Sequence, residues 1–381
     1  MKVVDLFAGC GGLSLGFEAA GFEMAMAIER WDAAREVYQK NFEHPILDID
    51  LNNVIDACKE IVLVKPDIII GGPPCQEFSM AGVRVEGERA ELTYSFGEII
   101  CNVKPTWFVL ENVPGIRNSA TWKKTKELLI NSGYGITETV LNAAFFNVPQ
   151  NRKRFFAIGK LGENHDFLKA RLETKISSYP MTIREYTGGK FEVEYYYRHP
   201  RNWGRKGIFS IDEPAPTVRS TIRQVPPGYK PHPDDAGPIE KARALKFREL
   251  AIVQTFPSDY NFFGTSTAIN TMIANAVPVQ LAKHLADCIN DYEEKAFLLY
   301  AEEFRLWLQN DQKYTKRTAS NVISRIKRVS HIINIKKEMQ NEEESIRILN
   351  KSSWFKLLTP SVKSQIRKAI KLKFVFDNRA K

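Results

Sequence analysis

Long apolar runs are missing from this chain. No stretch approaches the ~20 consecutive apolar residues that cross a bilayer, so a helical membrane span is not expected. Cysteine is scarce. Cys10, Cys58, Cys75, Cys101 and Cys288 are odd in number and include no CxxC pair, so neither a disulfide framework nor a zinc site is expected. The opening MKVVDLF lacks the succession of charged, apolar and small-residue zones that marks a secretion signal, and a cytoplasmic protein is expected. Internal repeats are absent too. What remains is a chain of 381 residues, 44% hydrophobic and 26% charged, enough for two or three domains with a sizeable core.

Charge is unevenly spread. The whole chain carries +9, yet the residues from Lys295 onward hold 20 basic and 8 acidic groups, a net of +12. Residues 1–294 are therefore slightly acidic, at −3. A basic tail of this kind suits a polyanion such as nucleic acid, while a solvated helical surface is the blander alternative.

The first half alternates strand-like and helix-like segments. Val3–Phe7, Met24–Ile28, Asp67–Ile70, Thr106–Glu111 and Phe155–Gly159 read as buried strands, and Trp31–Phe42 and Trp122–Asn131 as helices. Such alternation predicts a mostly parallel sheet covered on both faces, with ligands beyond the carboxyl ends of the strands. Residues 161–245, rich in Pro, Gly, Tyr and Arg, predict a smaller, irregular, mostly-β domain. Helical signals return at Lys246–Gln254 and Pro278–Tyr292, and the tail reads as helical. The expected domains are 1–160, 161–245, 246–294 (a return to the first) and a basic helical extension, 295–381.

Four motifs carry chemistry. DLFAGCGG (Asp5–Gly12) ends a strand and opens a helix, and its glycines allow a tight turn and a close backbone approach to a ligand. Glu29 ends the next strand about 20 residues on, where a carboxylate can accept bonds from ribose hydroxyls. That spacing does not choose between a dinucleotide and S-adenosylmethionine. GGPPCQEFS (Gly71–Ser79) follows a strand, and its stiff loop presents Cys75 to a cleft, where a thiolate can attack an electrophile. ENV (Glu111–Val113) ends an apolar strand, so Glu111 is expected to be desolvated and able to donate a proton near neutrality. In QNRKR (Gln150–Arg154), Arg152 and Arg154 alternate along an extended segment and are expected on one face.

Together these motifs closely resemble the cytosine carbon-5 DNA methyltransferases of bacterial and phage restriction-modification systems. RELAIVQTFP (Arg248–Pro257) and IANAVPVQLA (Ile273–Ala282) resemble that family's closing motifs, and IDEPAPTVR (Ile211–Arg219) is similar to part of its recognition region. The likeness covers about residues 1–292. It implies a Rossmann-like methyltransferase sheet with a target-recognition domain at 161–245. It implies that Cys75 adds to carbon 6 of a flipped-out cytosine while Glu111 protonates ring nitrogen 3, with Arg152 and Arg154 lining the base pocket. It also implies S-adenosylmethionine as cofactor, leaving as S-adenosylhomocysteine, and no metal. Cofactor contacts carry over to Phe7, Gly9, Gly11, Gly12, Glu29, Asp48, Leu92, Asn275 and Val277, with Asp50 an alternative to Asp48. DNA contacts carry over to Gln76 and Ser79 on the catalytic loop and to Thr217. Arg201, Arg205, Arg219 and Arg223 are candidates to read guanine edges or to touch phosphate.

The implied partner is double-stranded DNA, with no membrane. A monomer is expected, one that shares a target site but no stable complex with a cognate restriction endonuclease, in a prokaryotic, nucleoid-associated setting. The chain departs from the family pattern at Ala274, where glycine is usual and where a methyl would constrain the cofactor pocket, and at Arg89–Leu92, where RAEL replaces Arg-Gly-x-Leu. Rival readings are an RNA cytosine methyltransferase of the same fold and a noncatalytic DNA-binding regulator. The RNA-acting branch lacks a recognition domain of this length, and a regulator would not need Cys75, Glu111 and both arginines.

Overall fold

The computed structural model of the protein describes residues 1–74, 88–200, 202, 204–329 and 342–379. The chain divides into two compact units, Met1–Ile289 and Asn290–Lys381.

The first unit opens with β1 (Lys2–Leu6), α1 (Gly12–Ala19), β2 (Glu23–Ile28), α2 (Asp32–Gln39), β3 (Ile46–Leu47), α3 (Val54–Val64) and β4 (Ile68–Gly71). It continues through α4 (Glu88–Val103), β5 (Trp107–Asn112), α5 (Ala120–Asn131), β6 (Tyr134–Asn142), β7 (Gln150–Asn151) and β8 (Lys153–Leu161). Seven of these strands form one sheet in the order β3-β2-β1-β4-β5-β8-β6. The first five run parallel. The expected mostly parallel sheet is therefore present, with β8 reversed against both of its neighbours. Residues 143–152 joining β6 to β8 are too few for the crossover helix that a parallel pair needs, so the two strands pair antiparallel. β6 itself was not legible from apolar content, because Thr137, Glu138 and Thr139 interrupt its run.

Alternate strand residues face opposite sides of the sheet. Val4, Leu6, Met26, Ile28, Ile69, Phe108 and Leu110 pack against Ile61, Phe96, Ile99, Trp122 and Leu129 from α3, α4 and α5. A second cluster holds Ala27, Ala34 and Tyr38 together with residues from the later part of the unit.

That later part contains α6 (Lys169–Leu172), α7 (Ile183–Thr187), β9 (Tyr195–Tyr197), β10 (Ile208–Ser210), β11 (Ala215–Pro216), β12 (Ala242–Ala244), α8 (Phe247–Val253) and α9 (Ser266–Asn275). The short strands make a three-stranded sheet, β10-β9-β12, and a two-stranded pairing of β11 with β7. Ile183, Tyr196, Ile211, Ala215, Val218 and Leu245 share the second cluster with Ala27 and Leu250, so residues 161–245 are sewn into the same unit. α10 (Val279–Asn310) runs well past its expected end at Tyr292, since no glycine or proline interrupts it.

The second unit continues with α11 (Lys316–Val329), α12 (Glu342–Lys351), α13 (Ser353–Lys356) and α14 (Pro360–Asp377). Phe304, Trp307, Leu308, Ile323, Ile326, Phe355, Ile370 and Phe376 form its core. Among the described residues, no helix is long and apolar enough to cross a membrane.

Candidate active site

Between β1 and α1 the chain turns through left-handed conformations at Phe7 (φ 59°), Gly9 (φ 55°) and Gly11 (φ 86°). A Cβ at Gly11 would lie 2.4 Å from Phe42 Cε2, and one at Gly12 would lie 2.4 Å from the Val277 carbonyl oxygen. At these two positions the missing Cβ admits a protein neighbour. Glu29 follows β2 and accepts the N–H of Gly9 (2.8 Å) and of Trp31 (2.7 Å). Its carboxylate thus holds the loop in shape, and two of its roughly four acceptor positions remain for a ligand.

A cleft of about 670 Å³ opens at the carboxyl ends of the strands. Phe7, Gly9, Gly12, Glu29, Leu92, Asn275 and Val277 line it, together with Pro73, Pro74, Glu111 and Arg154. Gly11 does not line it and acts through the turn and its contact with Phe42. Asp48 does not line it either. Asp50 does, beside Arg30 (2.5 Å), whereas Asp48 is ion-paired with Arg35 (3.3 Å). β3 ends at Leu47, so strand alternation no longer decides which aspartate faces inward. Trp31 and Ile49 also line the cleft, and sequence reasoning missed both. A large aromatic two positions after Glu29 was the available signal.

Glu111 is buried at the end of β5, and Arg154 Nε lies 2.8 Å from its Oε1. Antiparallel pairing sets Glu111 opposite Phe156, and Arg154, two residues from Phe156, shares that face. Burial pushes the Glu111 carboxyl above its ordinary range, and the charges of Arg154 and Arg152 hold it back. Asn112 donates from Nδ2 to the Pro73 carbonyl (3.1 Å), which ties the end of β5 to the start of the GGPPCQ loop. Cys75, Gln76 and Ser79 lie outside the described residues, as does Arg201.

Arg152 and Arg154 do not share one task. Arg152 precedes β8 and is fully buried, and it donates to the carbonyls of Ala274 (2.8 Å) and Ala276 (3.1 Å). It does not line the cleft, so the expectation of two arginines on one open face is corrected: strand geometry is interrupted at Arg152, between β7 and β8. Gln254 joins the same network, donating to Ile273 O (2.5 Å) and Ala276 O (2.9 Å), and Gln150 donates to Gln254 Oε1 (2.7 Å). Buried amides saturated in this way lock the segments that carry Asn275 and Arg154. Ala274 packs in the apolar core and does not line the cleft, so its methyl does not narrow the cleft as expected.

The recognition candidates sit close to this network. Val218 N–H donates to Gln150 Oε1 (3.0 Å) and the Thr217 hydroxyl to Asn151 O (2.8 Å), which docks Thr217–Val218 onto the QNRKR segment. Arg219 donates to His199 O (3.2 Å), and exposed Arg223 lies 3.3 Å from His199 Nε2. Arg205 is exposed.

A family model described as C-5 cytosine-specific DNA methylase matches residues 1–291. The Type II methyltransferase M.HindV of Haemophilus influenzae is 50% identical over 298 residues, covering 77% of this chain and 98% of that protein. M.HgiDI of Herpetosiphon aurantiacus is 44% identical over 293 residues, covering 77% and 95%. Among solved structures, the S. pombe Dnmt2 methyltransferase is similar in fold, with a TM-score of 0.57 at 18% identity, over 76% of this chain and 98% of that one.

Proposed function

Because this chain belongs to the C-5 cytosine-specific DNA methylase family, we propose that it is the modification enzyme of a Type II system, methylating one specific duplex site from S-adenosylmethionine through a covalent Cys75 adduct. Methylation of cytosine carbon 5 in DNA is the family's reaction and is the activity of this chain.

Carbon 5 of cytosine is a weak nucleophile. In our reading the Cys75 thiolate forms a bond to carbon 6, and the electron pair displaced toward nitrogen 3 is neutralised by a proton held on Glu111. Carbon 5 is thereby activated for alkylation. Loss of its proton then restores the ring and expels the thiolate. Burial raises the affinity of the Glu111 carboxyl for that proton, and Arg154 keeps it aimed. S-adenosylmethionine, when bound, supplies the methyl group from its sulfonium and leaves as S-adenosylhomocysteine.

The cleft suits that cofactor. Glu29 keeps free acceptor positions for ribose hydroxyls, the α1 N-terminus at Gly12 favours a carboxylate, and Trp31 and Ile49 offer apolar surface to a base. Phe7, Gly9, Asp50, Leu92, Asn275 and Val277 complete its wall. The target base must leave the duplex, at a cost of a few kcal/mol. Gln76 and Ser79 would grip the phosphate beside it, and Thr217, Arg201, Arg205, Arg219 and Arg223 would face the flanking sequence.

The observation that carries this reading is the shared cleft. It puts the glycine-loop end, the Glu111–Arg154 pair and Pro74, the residue before Cys75, on one wall system. The test is transfer of labelled methyl groups to duplex DNA, with bisulfite sequencing to locate the modified cytosine. Cys75→Ser should abolish transfer and leave DNA binding largely intact, and duplex carrying 5-fluorocytosine should become covalently attached. Transfer at the parental rate by Cys75→Ser refutes the covalent mechanism; labelling of RNA in preference to duplex DNA refutes the assigned substrate.

A further inference from the structure

Residues 292–381 lie outside the family match, and the helices there segregate charge. α11 carries Lys316, Arg317, Arg325, Lys327 and Arg328 and no acidic residue. α14 carries Lys363, Arg367, Lys368, Lys371 and Lys373, with Asp377 its only acid. Asp377 is bound by Lys373 and by the Tyr300 hydroxyl (2.9 Å). The carboxylates of this unit cluster elsewhere, at Glu293, Glu294, Glu302 and Glu303 on α10 and Glu342–Glu344 on α12.

α11 and α14 pack on each other, and Arg325 donates to Gln365 Oε1 (2.6 Å) across the pair. Ala319, Val322, Ile323 and Ile326 of α11 and Ile366, Ala369, Ile370 and Phe376 of α14 are buried in the core. Exposed positions include Lys316, Arg317, Ser320, Asn321, Ser324 and Arg328 on α11 and Ser361, Ser364, Arg367, Lys368 and Lys371 on α14, with Asp377 the one exposed carboxylate of the two helices. A helix face built only for solubility mixes Glu with Lys at i, i+4 spacing. This two-helix face offers cations, hydroxyls and amides, which are the groups that bind phosphate oxygens.

We propose that the α11–α14 face is a second, sequence-independent DNA contact, which binds the phosphate backbone of the duplex that the first unit methylates. The proposal rests on duplex DNA being the substrate. Its chemistry is neutralisation of phosphates with release of condensed counterions, so its signature is a salt dependence. None of Lys316, Arg317, Arg328 and Lys371 enters an ion pair among the described residues, and all four are exposed.

The test compares the full chain with the variant Lys316→Gln, Arg317→Gln, Arg328→Gln and Lys371→Gln. Binding to a long random-sequence duplex is measured as potassium chloride is varied. Each lost phosphate contact lowers the slope of log affinity against log salt by about 0.9, so a decrease of about 2 to 4 is expected. Methyl transfer at saturating duplex and low salt should stay at the parental rate. A matched set on the first unit, Lys40→Gln, Lys65→Gln, Lys123→Gln and Lys124→Gln, should leave the slope unchanged.

An unchanged slope in the quadruple variant, with its helical circular dichroism intact, overturns the proposal and is the result expected if this face instead receives an acidic protein. An equal fall in the matched set overturns it as well, since net charge alone would then account for the effect. Failure of the parental chain to methylate duplex DNA would refute the substrate reading instead, so the two failures are distinguishable.

Discussion

Arg154 and Glu111 meet as a 2.8 Å ion pair because Arg154 stands near the start of β8 and Glu111 near the end of its antiparallel neighbour β5. The pair balances two opposed effects on one carboxyl. Burial favours the protonated form and the two arginines favour the ionised form, and burial is the larger.

Removing the arginine should tip that balance further. In Arg154→Gln the Glu111 carboxyl rises again, so the alkaline limb of the pH profile of kcat/KM should move to higher pH, while the rate itself falls as the carboxyl loses its orientation. Glu111→Gln should erase that limb and lower kcat by about 10² to 10⁴, the usual contribution of a positioned acid. A limb that persists unaltered in Glu111→Gln assigns it to another group.

Asp50, not Asp48, should control cofactor affinity. A hydrogen bond to a charged group contributes about 1.5–3 kcal/mol, so Asp50→Asn should raise the KM for S-adenosylmethionine roughly tenfold or more. Asp48→Asn loses only a partly exposed ion pair with Arg35 and should change KM less than about twofold. Equal effects in the two variants would contradict the cleft geometry. Isothermal titration with S-adenosylhomocysteine gives the same comparison without turnover.

Asp5 should make stability depend on pH. The Tyr38 hydroxyl donates to Ser14 Oγ (2.7 Å), and Ser14 donates to Asp5 Oδ2 (2.6 Å), all beneath the β1–α1 turn. Burial pushes the Asp5 carboxyl up to about 7 from 3.8. The folded state therefore holds a proton that the unfolded chain gives up. That stability is complete below about pH 4 and is lost as pH rises to about 7, by a few kcal/mol. Asp5→Asn should flatten the fall in Tm between those pH values; a parallel fall in both proteins would assign it elsewhere.

Much of the cleft's lining was legible as linear text. Strand ends followed by Gly–Gly, Pro–Pro–Cys or Glu–Asn announce side chains at a sheet's carboxyl edge, because a parallel sheet collects those ends along one crevice. Short apolar runs gave away β1, β2, β4 and β5 for the same reason: strands buried on both faces have few polar residues.

The residues themselves dictated the chemistry available and the edge on which it would gather. Folding alone decided which of two near neighbours lines the cleft, Asp50 over Asp48 and Arg154 over Arg152. Residues two apart share a face only where the strand is regular; past the end of β3 and at the break between β7 and β8 that rule lapses, and only the packed partners choose the direction. Tertiary packing likewise recruited Gln150, Gln254 and Asn112, whose amides look ordinary in the sequence and acquire purpose only where burial removes every other hydrogen-bonding partner.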